Sequence, residues 1–542
     1  MRAWVVASVL LLATAQVAWA NDPALVKAAE AQDNATAIKL IDGGADVNAA
    51  SNNGTTALLW AAHYGDEDLV KRLLKAGAKP GARNQFDATP IGEAAVIGNA
   101  PILEMLLKAG ASANTLSHEG QAPLMVVART GQIEAAKVLL HHGADVNAKE
   151  QWGGQSALMW AAAQSQPEMM KLLIEHGADI NAKGKERDWQ RRITSEPRKK
   201  DMYHGGFTPL LYAAREGCLP CVKVLVEARA DLNLADPLRL APLNIALLNR
   251  HFNVAAYLIQ AGADVNKWDF YGRTPLYDAV DMSTPPASVG GPVPDEKTAV
   301  DIVQMLLDKG ADPNIQLIHR PRYRQAVFER GADIILSAGA TPLLRAARAA
   351  DIPVIKLLLA HGALVELPDQ FGVTPFMAAA GLGFGARASR GQGVSQEQRI
   401  EALKIFLAAG AKINRLTKLT GRIAPPGKDT FLDRIRIRAG NQLYLFSYVP
   451  PEGRSAIHGA AINGWSKVVQ FLVDNGAKIN VVDAIGKSPY DLAAGLYEPE
   501  YLVPPADPYK DTMALLKTLC AKQAGCTITE AKNDAAASTG KL

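Results

Sequence analysis

The residues best suited to chemistry are four cysteines, Cys218, Cys221, Cys520 and Cys526. The first two frame Cys218-Leu219-Pro220-Cys221, which leads into an apolar-periodic stretch. A Cys-x-x-Cys at a helix N-terminus can hold one sulfur as a thiolate, because the free N–H groups and the helix dipole favour negative charge there. Thiol–disulfide exchange uses that arrangement, but in enzymes of this kind it sits in a βαβ unit, and none is legible around residue 218. An even cysteine count fits two local bridges, Cys218 with Cys221 and Cys520 with Cys526. Two reduced packing cysteines at 218 and 221 are the other reading. No Cys-x-x-Cys-His is present, so covalent haem attachment has no support.

Other catalytic chemistries find no footing. The ten histidines are scattered, and His141-His142, being adjacent on a helix, point in different directions. There is no His-Glu-x-x-His, no Cys/His group with zinc spacing and no Gly-x-Ser-x-Gly elbow. The many Gly-Ala-Asp-x-Asn aspartates are turn residues, and no closed acidic loop of EF-hand type surrounds them. Gly381-x-Gly383-x-Gly385 lacks the strand before and helix after that a phosphate loop needs, so it reads as a flexible loop. The expectation is therefore no catalytic residue, no metal site and no cofactor.

The elements that position these residues are set by a repeat. A Gly-x-Thr-Pro-Leu start, a short helix, and a longer apolar-periodic helix ending in Gly-Ala-Asp-x-Asn recur along the chain. The Pro or Ala of the start falls at Ala57, Pro90, Pro123, Ala157, Pro209, Pro242, Pro275, Pro342, Pro375, Ala456 and Pro489. Successive steps are 33, 33, 34, 52, 33, 33, 67, 33, 81 and 33, so three intervals hold insertions. Thr89, Thr208, Thr274, Thr341 and Thr374 can cap the first helix, with Pro at its first position, where a missing N–H is harmless. The second helix presents an apolar face, as in Ile102, Leu103, Leu106 and Leu107. Glycine then permits the left-handed residue that stops it. One such unit cannot bury its own face, so units must stack.

This pattern resembles the ankyrin family over roughly residues 22–520, with a degenerate first repeat at Asp22–Asn48 and about twelve units in all. The insertions, and phrases such as Thr208-Pro209-Leu210-Leu211-Tyr212-Ala213-Ala214-Arg215-Glu216-Gly217-Cys218, also look like a group of exported bacterial ankyrin proteins. The resemblance implies an all-α repeat solenoid of helix–turn–helix units with projecting β-turn fingers and a concave face of short helices, used for binding. Two departures stand out. Arg229 occupies the place of the terminal glycine, and the histidine usually found two residues after the start Pro occurs only as His458.

Insertions are expected at 183–204, 283–297, 315–338, 383–396 and 415–452. Those at 183–204, 315–338 and 415–452 carry net charges of +4, +2 and +4, whereas the whole chain carries +4, so the remainder is acidic. In them Trp189 lies among Arg191 and Arg192, and Tyr323 between Arg322 and Arg324. Ile435-Arg436-Ile437-Arg438, Ala439-Gly440-Asn441 and Leu443–Val449 read as a β-hairpin. Basic residues interleaved with aromatics suit an anionic or aromatic partner, although charged loops are also commonly just solvated. Aligned on the repeat, Phe86, Trp152, Phe207, Phe270, Tyr271, Arg273 and Phe371 fall on fingers. His63, Tyr64, Arg129, Arg215, Arg250 and Arg348 fall on short helices. Surface aromatics and arginines are typical interface anchors, and some finger aromatics could instead pack on insertions.

The first twenty residues read as a signal peptide: Arg2, an apolar run from Val5 to Ala13, and Ala18-Trp19-Ala20 before a cleavage at Asn21. The run is too short to span a bilayer, and no other long apolar stretch follows. Residues 521–542 read as a flexible tail. The expected product is a periplasmic or secreted scaffold that binds a protein, or an anionic envelope polymer or lipid surface, through its concave face and basic fingers. Export makes nucleic acid a poor candidate. A thiol-redox protein using Cys218 and Cys221, and a secreted effector acting on another organism's protein, are the alternatives.

Overall fold

The structure is a computed structural model that describes residues 23–186, 205–284, 295–319, 336, 338–383, 393–419, 452–496 and 508–528. These carry twenty-four helices in consecutive pairs, divided between two units, Met1–Pro237 and Leu238–Leu542. The first unit pairs α1 (Ala24–Glu30) with α2 (Asn34–Asp42), α3 (Ala57–Tyr64) with α4 (Glu67–Lys75), and α5 (Pro90–Ile97) with α6 (Ala100–Lys108). It continues with α7 (Pro123–Thr130) and α8 (Ile133–His141), α9 (Ala157–Ala163) and α10 (Pro167–Glu175), and α11 (Pro209–Glu216) and α12 (Leu219–Glu227). The second pairs α13 (Pro242–Leu248) with α14 (Phe252–Gln260), α15 (Pro275–Ser283) with α16 (Ala299–Asp308), and α17 (Pro342–Ala349) with α18 (Ile352–Ala360). Then come α19 (Pro375–Ala379) and α20 (Gln396–Ala408), α21 (Ala456–Ile462) and α22 (Ser466–Asp474), and α23 (Pro489–Ala493) and α24 (Lys510–Lys522). Within each unit first helices pack on first helices and second on second, which is an all-α repeat solenoid.

Local chemistry explains the boundaries. The hydroxyls of Thr208, Thr274, Thr341 and Thr374 each accept the N–H three residues on, with Pro next in the chain. Gly65, Gly98, Gly131 and Gly217 end first helices in the left-handed region. Asp66, Asn99 and Asp351 cap second helices. Leu69, Val70 and Leu73, and Ile102, Leu103 and Leu106, face inward and are buried. Each such side chain contributes on the order of 2 kcal/mol by leaving water.

An asparagine ladder ties neighbouring repeats. Asn48 donates from Nδ2 to the Gly77 oxygen at 3.1 Å and accepts the Lys79 N–H at 2.8 Å. Asn114, Asn147, Asn266, Asn314 and Asn414 repeat both bonds to the following repeat. Gly81 stands where the second repeat would supply this residue, so that rung is missing. The fingers have their own anchor six or seven residues before the start signature. Asn84, Glu150, Asp269, Asp369 and Asp483 each accept backbone N–H groups from the finger with one side-chain oxygen.

Several expectations meet the structure here. Arg229 does adopt the left-handed conformation, at φ 66°. His458 is fully buried and accepts the Ser455 N–H at Nδ1, and burial lowers its pKa to about 4. The last helix runs past residue 520 to Lys522, and the described chain continues to residue 528. Among the described residues extended pairing is confined to two isolated bridges, Ala50 with Thr56 and Glu186 with Gly205. The hairpin expected at 435–449 lies outside the described residues, as do residues 1–20.

Candidate functional site

The first helices of the first unit expose a row of side chains that stacking leaves unused. On α3, Trp60, His63 and Tyr64 share one face because residues three and four apart are neighbours on a helix. Trp60 and Tyr64 stack at 5.7 Å, and His63 meets each of them edge-on. His63 Nδ1 lies 2.8 Å from Glu93 Oε2 on α5, and that hydrogen bond raises the histidine pKa despite partial burial. Beside them Val96 is 56% exposed, and Ile97 and Tyr64 are each 41% exposed. On α7, exposed Arg129 lies 5.6 Å over the Trp160 ring of α9, a cation–π contact. On α11, Arg215 sits 5.0 Å from the Tyr212 ring and 5.6 Å from Phe207, and pairs with Glu216. Two acids of the row, Glu93 and Glu216, thus face a basic partner within the protein, while a third, Glu30 at the end of α1, lies near Tyr64.

Finger tips provide a second apolar set. Phe86 and Trp152 are 65% and 66% exposed, and their backbone N–H groups are held by Asn84 and Glu150. In the second unit Phe270, half exposed, stacks on His319 at 5.2 Å, and Arg273 lies over Tyr271 at 5.3 Å. Phe207, Phe371 and Arg273 are buried, which corrects their placement among contact residues. Phe207 goes inward to meet Tyr212, and Arg273 goes inward to grip Asp269 through Nε and Nη2 at 2.8 and 2.7 Å.

The first helices of the second unit differ in kind. Here the face carries charge and is shut off from solvent. Arg348, expected on the surface, is fully buried, as are Arg345 and Asp278, with Asp281 nearly so, and Arg399 of the second helix α20 is buried beside them. Asp278 accepts from Asn244 Nδ2 at 2.9 Å, and burial raises its pKa against the pull of Arg273. Arg250 is half-buried in the left-handed conformation at φ 63°. At the root of the 415–452 insertion a cavity of about 310 Å³ is lined by Pro368, Gly372, Arg415, Leu416, Lys418 and Leu419.

The cysteines form two disulfides, Cys218–Cys221 and Cys520–Cys526. Cys218 stands at the cap of α12, where Asp66 and Asn99 stand in other repeats, and its Sγ accepts the Cys221 N–H at 3.2 Å. The bridge therefore closes a helix end that its siblings close by a side-chain oxygen. Cys221 is fully buried and Cys218 is 8% exposed, so exchange chemistry could begin only at Cys218.

Trp189, Arg191, Arg192, Arg322, Tyr323, Arg324, Arg436 and Arg438 lie outside the described residues. The structure adds Trp60, Val96, Ile97 and Trp160, which sequence reasoning passed over. All four lie three to seven residues after a start signature, so aligning the repeats by column was the signal that could have found them. Among the described residues no group of three His, Cys, Asp or Glu could hold a metal ion, and no helix is long and apolar enough to cross a membrane.

Comparison with known proteins bears on what such a surface does. The family model described as Ankyrin repeats (3 copies) matches residues 9–84, 91–184 and 210–317, and the Ankyrin repeat model matches 338–370 and 452–484. The chain is 26% identical over 181 residues to Putative ankyrin repeat protein YahD of Escherichia coli (strain K12), 32% of this chain and 89% of that protein. It is 41% identical over 69 residues to Putative palmitoyltransferase ZDHHC13 of Danio rerio, 13% of this chain and only 11% of that protein. The solved human ASB11 ankyrin repeat domain aligns over 45% of this chain and 99% of that domain, with 23% identity and a TM-score of 0.36. Ankyrin repeats generally mediate protein–protein interaction. With family models matching more than half of its residues, the chain belongs to the ankyrin-repeat family.

Proposed function

We propose that this chain is an exported interaction scaffold that takes a protein segment along the first-helix face of its first unit. The observation that carries this reading is the exposure of Tyr64, Val96 and Ile97 beside Arg129. Apolar side chains left in water on a face where Glu93 and Glu216 are internally engaged favour a partner with apolar anchors and a carboxylate for Arg129. Phe86 and Trp152 extend the contact on the finger side. The basic insertions add attraction for an anionic envelope component, through Trp189, Arg191, Arg192, Arg322, Tyr323, Arg324, Arg436 and Arg438. Export is supported by the signal pattern of residues 1–20 and by disulfides, which suit an oxidising compartment.

The test is capture from envelope extract by the full mature chain, followed by affinity measurement on the captured protein. Val96→Asp and Arg129→Glu are expected to weaken binding at least tenfold while leaving the melting temperature within about 2 °C, as surface changes do. Charge reversal at Arg191, Arg192, Arg322 and Arg324 is expected to remove its salt dependence. Unaltered affinity in Val96→Asp and Arg129→Glu would exclude this face.

A further inference from the structure

A buried group of arginines, Arg345 and Arg348 on α17 and Arg399 on α20, is not accounted for by stacking. Arg345, fully buried, donates from Nε to Asp281 Oδ1 at 2.5 Å and from Nη2 to the carbonyl oxygens of Asp281 and Thr284 at 3.1 and 2.9 Å. Its Nη1 is buried and meets no acceptor, and the neighbouring Thr284 hydroxyl is likewise buried with no hydrogen-bond partner. A guanidinium N–H and a hydroxyl left unmatched each forfeit their solvation with no hydrogen bond in return. Paired surfaces normally avoid that cost.

Two further guanidiniums lie nearby. Arg348, one turn further along α17, is fully buried. Arg399 on α20 is 1% exposed, donates to the Ala379 oxygen at 3.4 Å and lies 4.2 Å over the Trp465 ring. Burial, and then the Arg348 cation, bring the Arg399 pKa down to about 9, so the two guanidiniums repel one another across a water-poor space. Asp281 accepts from Arg345. Asp351 is engaged elsewhere, accepting the Val354 N–H at 3.3 Å and the Ser283 hydroxyl at 2.5 Å. Guanidinium groups match oxyanions in geometry as well as charge, and an oxyanion accepts from hydroxyls too.

We infer that this cluster is a binding site for an oxyanion, with Arg345 Nη1 and the Thr284 hydroxyl as its donors and Arg348 and Arg399 as the surrounding charge. The ligand class is a phosphate, sulfate or carboxylate group, free or carried on a larger molecule. This site is independent of the protein-binding face of the first unit.

The experiment uses the full mature chain dialysed into chloride. Melting temperature is followed on titration with sodium phosphate, sulfate or acetate against sodium chloride at matched ionic strength. A saturable rise above the chloride control is expected with at least one of the three. A response to acetate alone assigns a carboxylate ligand, and a response to phosphate or sulfate assigns a tetrahedral oxyanion. Arg348→Gln is expected to raise the apparent Kd at least tenfold. Thr284→Val removes only a hydroxyl on a half-buried residue, so it keeps the test decisive if an arginine variant fails to fold, and is expected to weaken the response about tenfold. No rise above chloride in wild type, or an equal rise in Thr284→Val, overturns the site.

Discussion

Asn480 donates from Nδ2 to the carbonyl oxygen of Gly525 at 3.3 Å, inside the loop closed by Cys520–Cys526. Gln523 answers in the same register, accepting the Ile479 N–H at 3.2 Å and donating to the Ala477 oxygen at 3.3 Å. Gly525, left-handed at φ 73°, thus does for Asn480 what Gly77 does for Asn48. Replacing both Cys520 and Cys526 by Ser is expected to destabilise this last helix pair by about 2 kcal/mol, the loop-closure contribution of a short bridge. Amide exchange at Ile479 reads the effect directly. Unchanged protection there would separate the bridge from the ladder.

The missing rung at Gly81 can be restored. Gly81 has open space around it and no left-handed backbone. Gly81→Asn is expected to add bonds to the Gly110 oxygen and Ser112 N–H and to raise stability by about 1 kcal/mol. Gly81→Ala is the control for the lost glycine entropy, and equal melting temperatures for the two variants would refute the added bonds.

Arg229 holds a conformation that costs a side-chain-bearing residue about 1 kcal/mol. Arg229→Gly is expected to raise the melting temperature, since Gly77, Gly143 and Gly177 take the same conformation at their own helix ends. A fall would mean that glycine's greater freedom in the unfolded chain outweighs the relief of strain.

Three finger aspartates occupy one structural place with different company. Asp269 faces Arg273, and Asp483 faces Arg454 at 2.8 Å. Asp369 has Val373 where Asp269 has its arginine, and its Oδ2 is buried without a hydrogen-bond partner. Burial pushes its pKa up to about 8, against the backbone N–H groups of Val373, Phe371 and Gly372. An acid whose folded pKa lies above its unfolded value stabilises the fold below that unfolded value, near 4, and loses the contribution as pH rises through about 8. Wild type is therefore expected to lose stability between pH 5 and 9 relative to Asp369→Asn in denaturant titrations. Parallel curves for the two would refute a protonated Asp369.

The helices were legible because their boundaries rest on local chemistry. Thr208, Pro209 and Gly217 each satisfy or stop a backbone group within a few residues, so their roles need no tertiary knowledge. The binding face was less legible. Tyr64 and Arg129 were identified by repeat position, but Trp60 and Trp160 were passed over because a tryptophan three residues after the start reads equally well as core. Arg348 shows the opposite failure. Its column holds His63, Val96, Arg129 and Arg215 in the first unit, where the face is open, and nothing in the local sequence says that the same column is closed over at Asp281 and Arg348. Burial there is a property of the second unit as a whole.

The asparagine ladder has a direction. Each Asn reaches forward to a glycine carbonyl and an N–H of the following repeat and never backward, so the array is polar in the way that a filament with unlike ends is polar. At the last of these repeats the forward-facing groups are those of Ala477, Ile479 and Asn480. The disulfide loop already sits against them. It stands in for a following repeat, so the last ladder rung is closed by a covalent loop instead of by another helix pair.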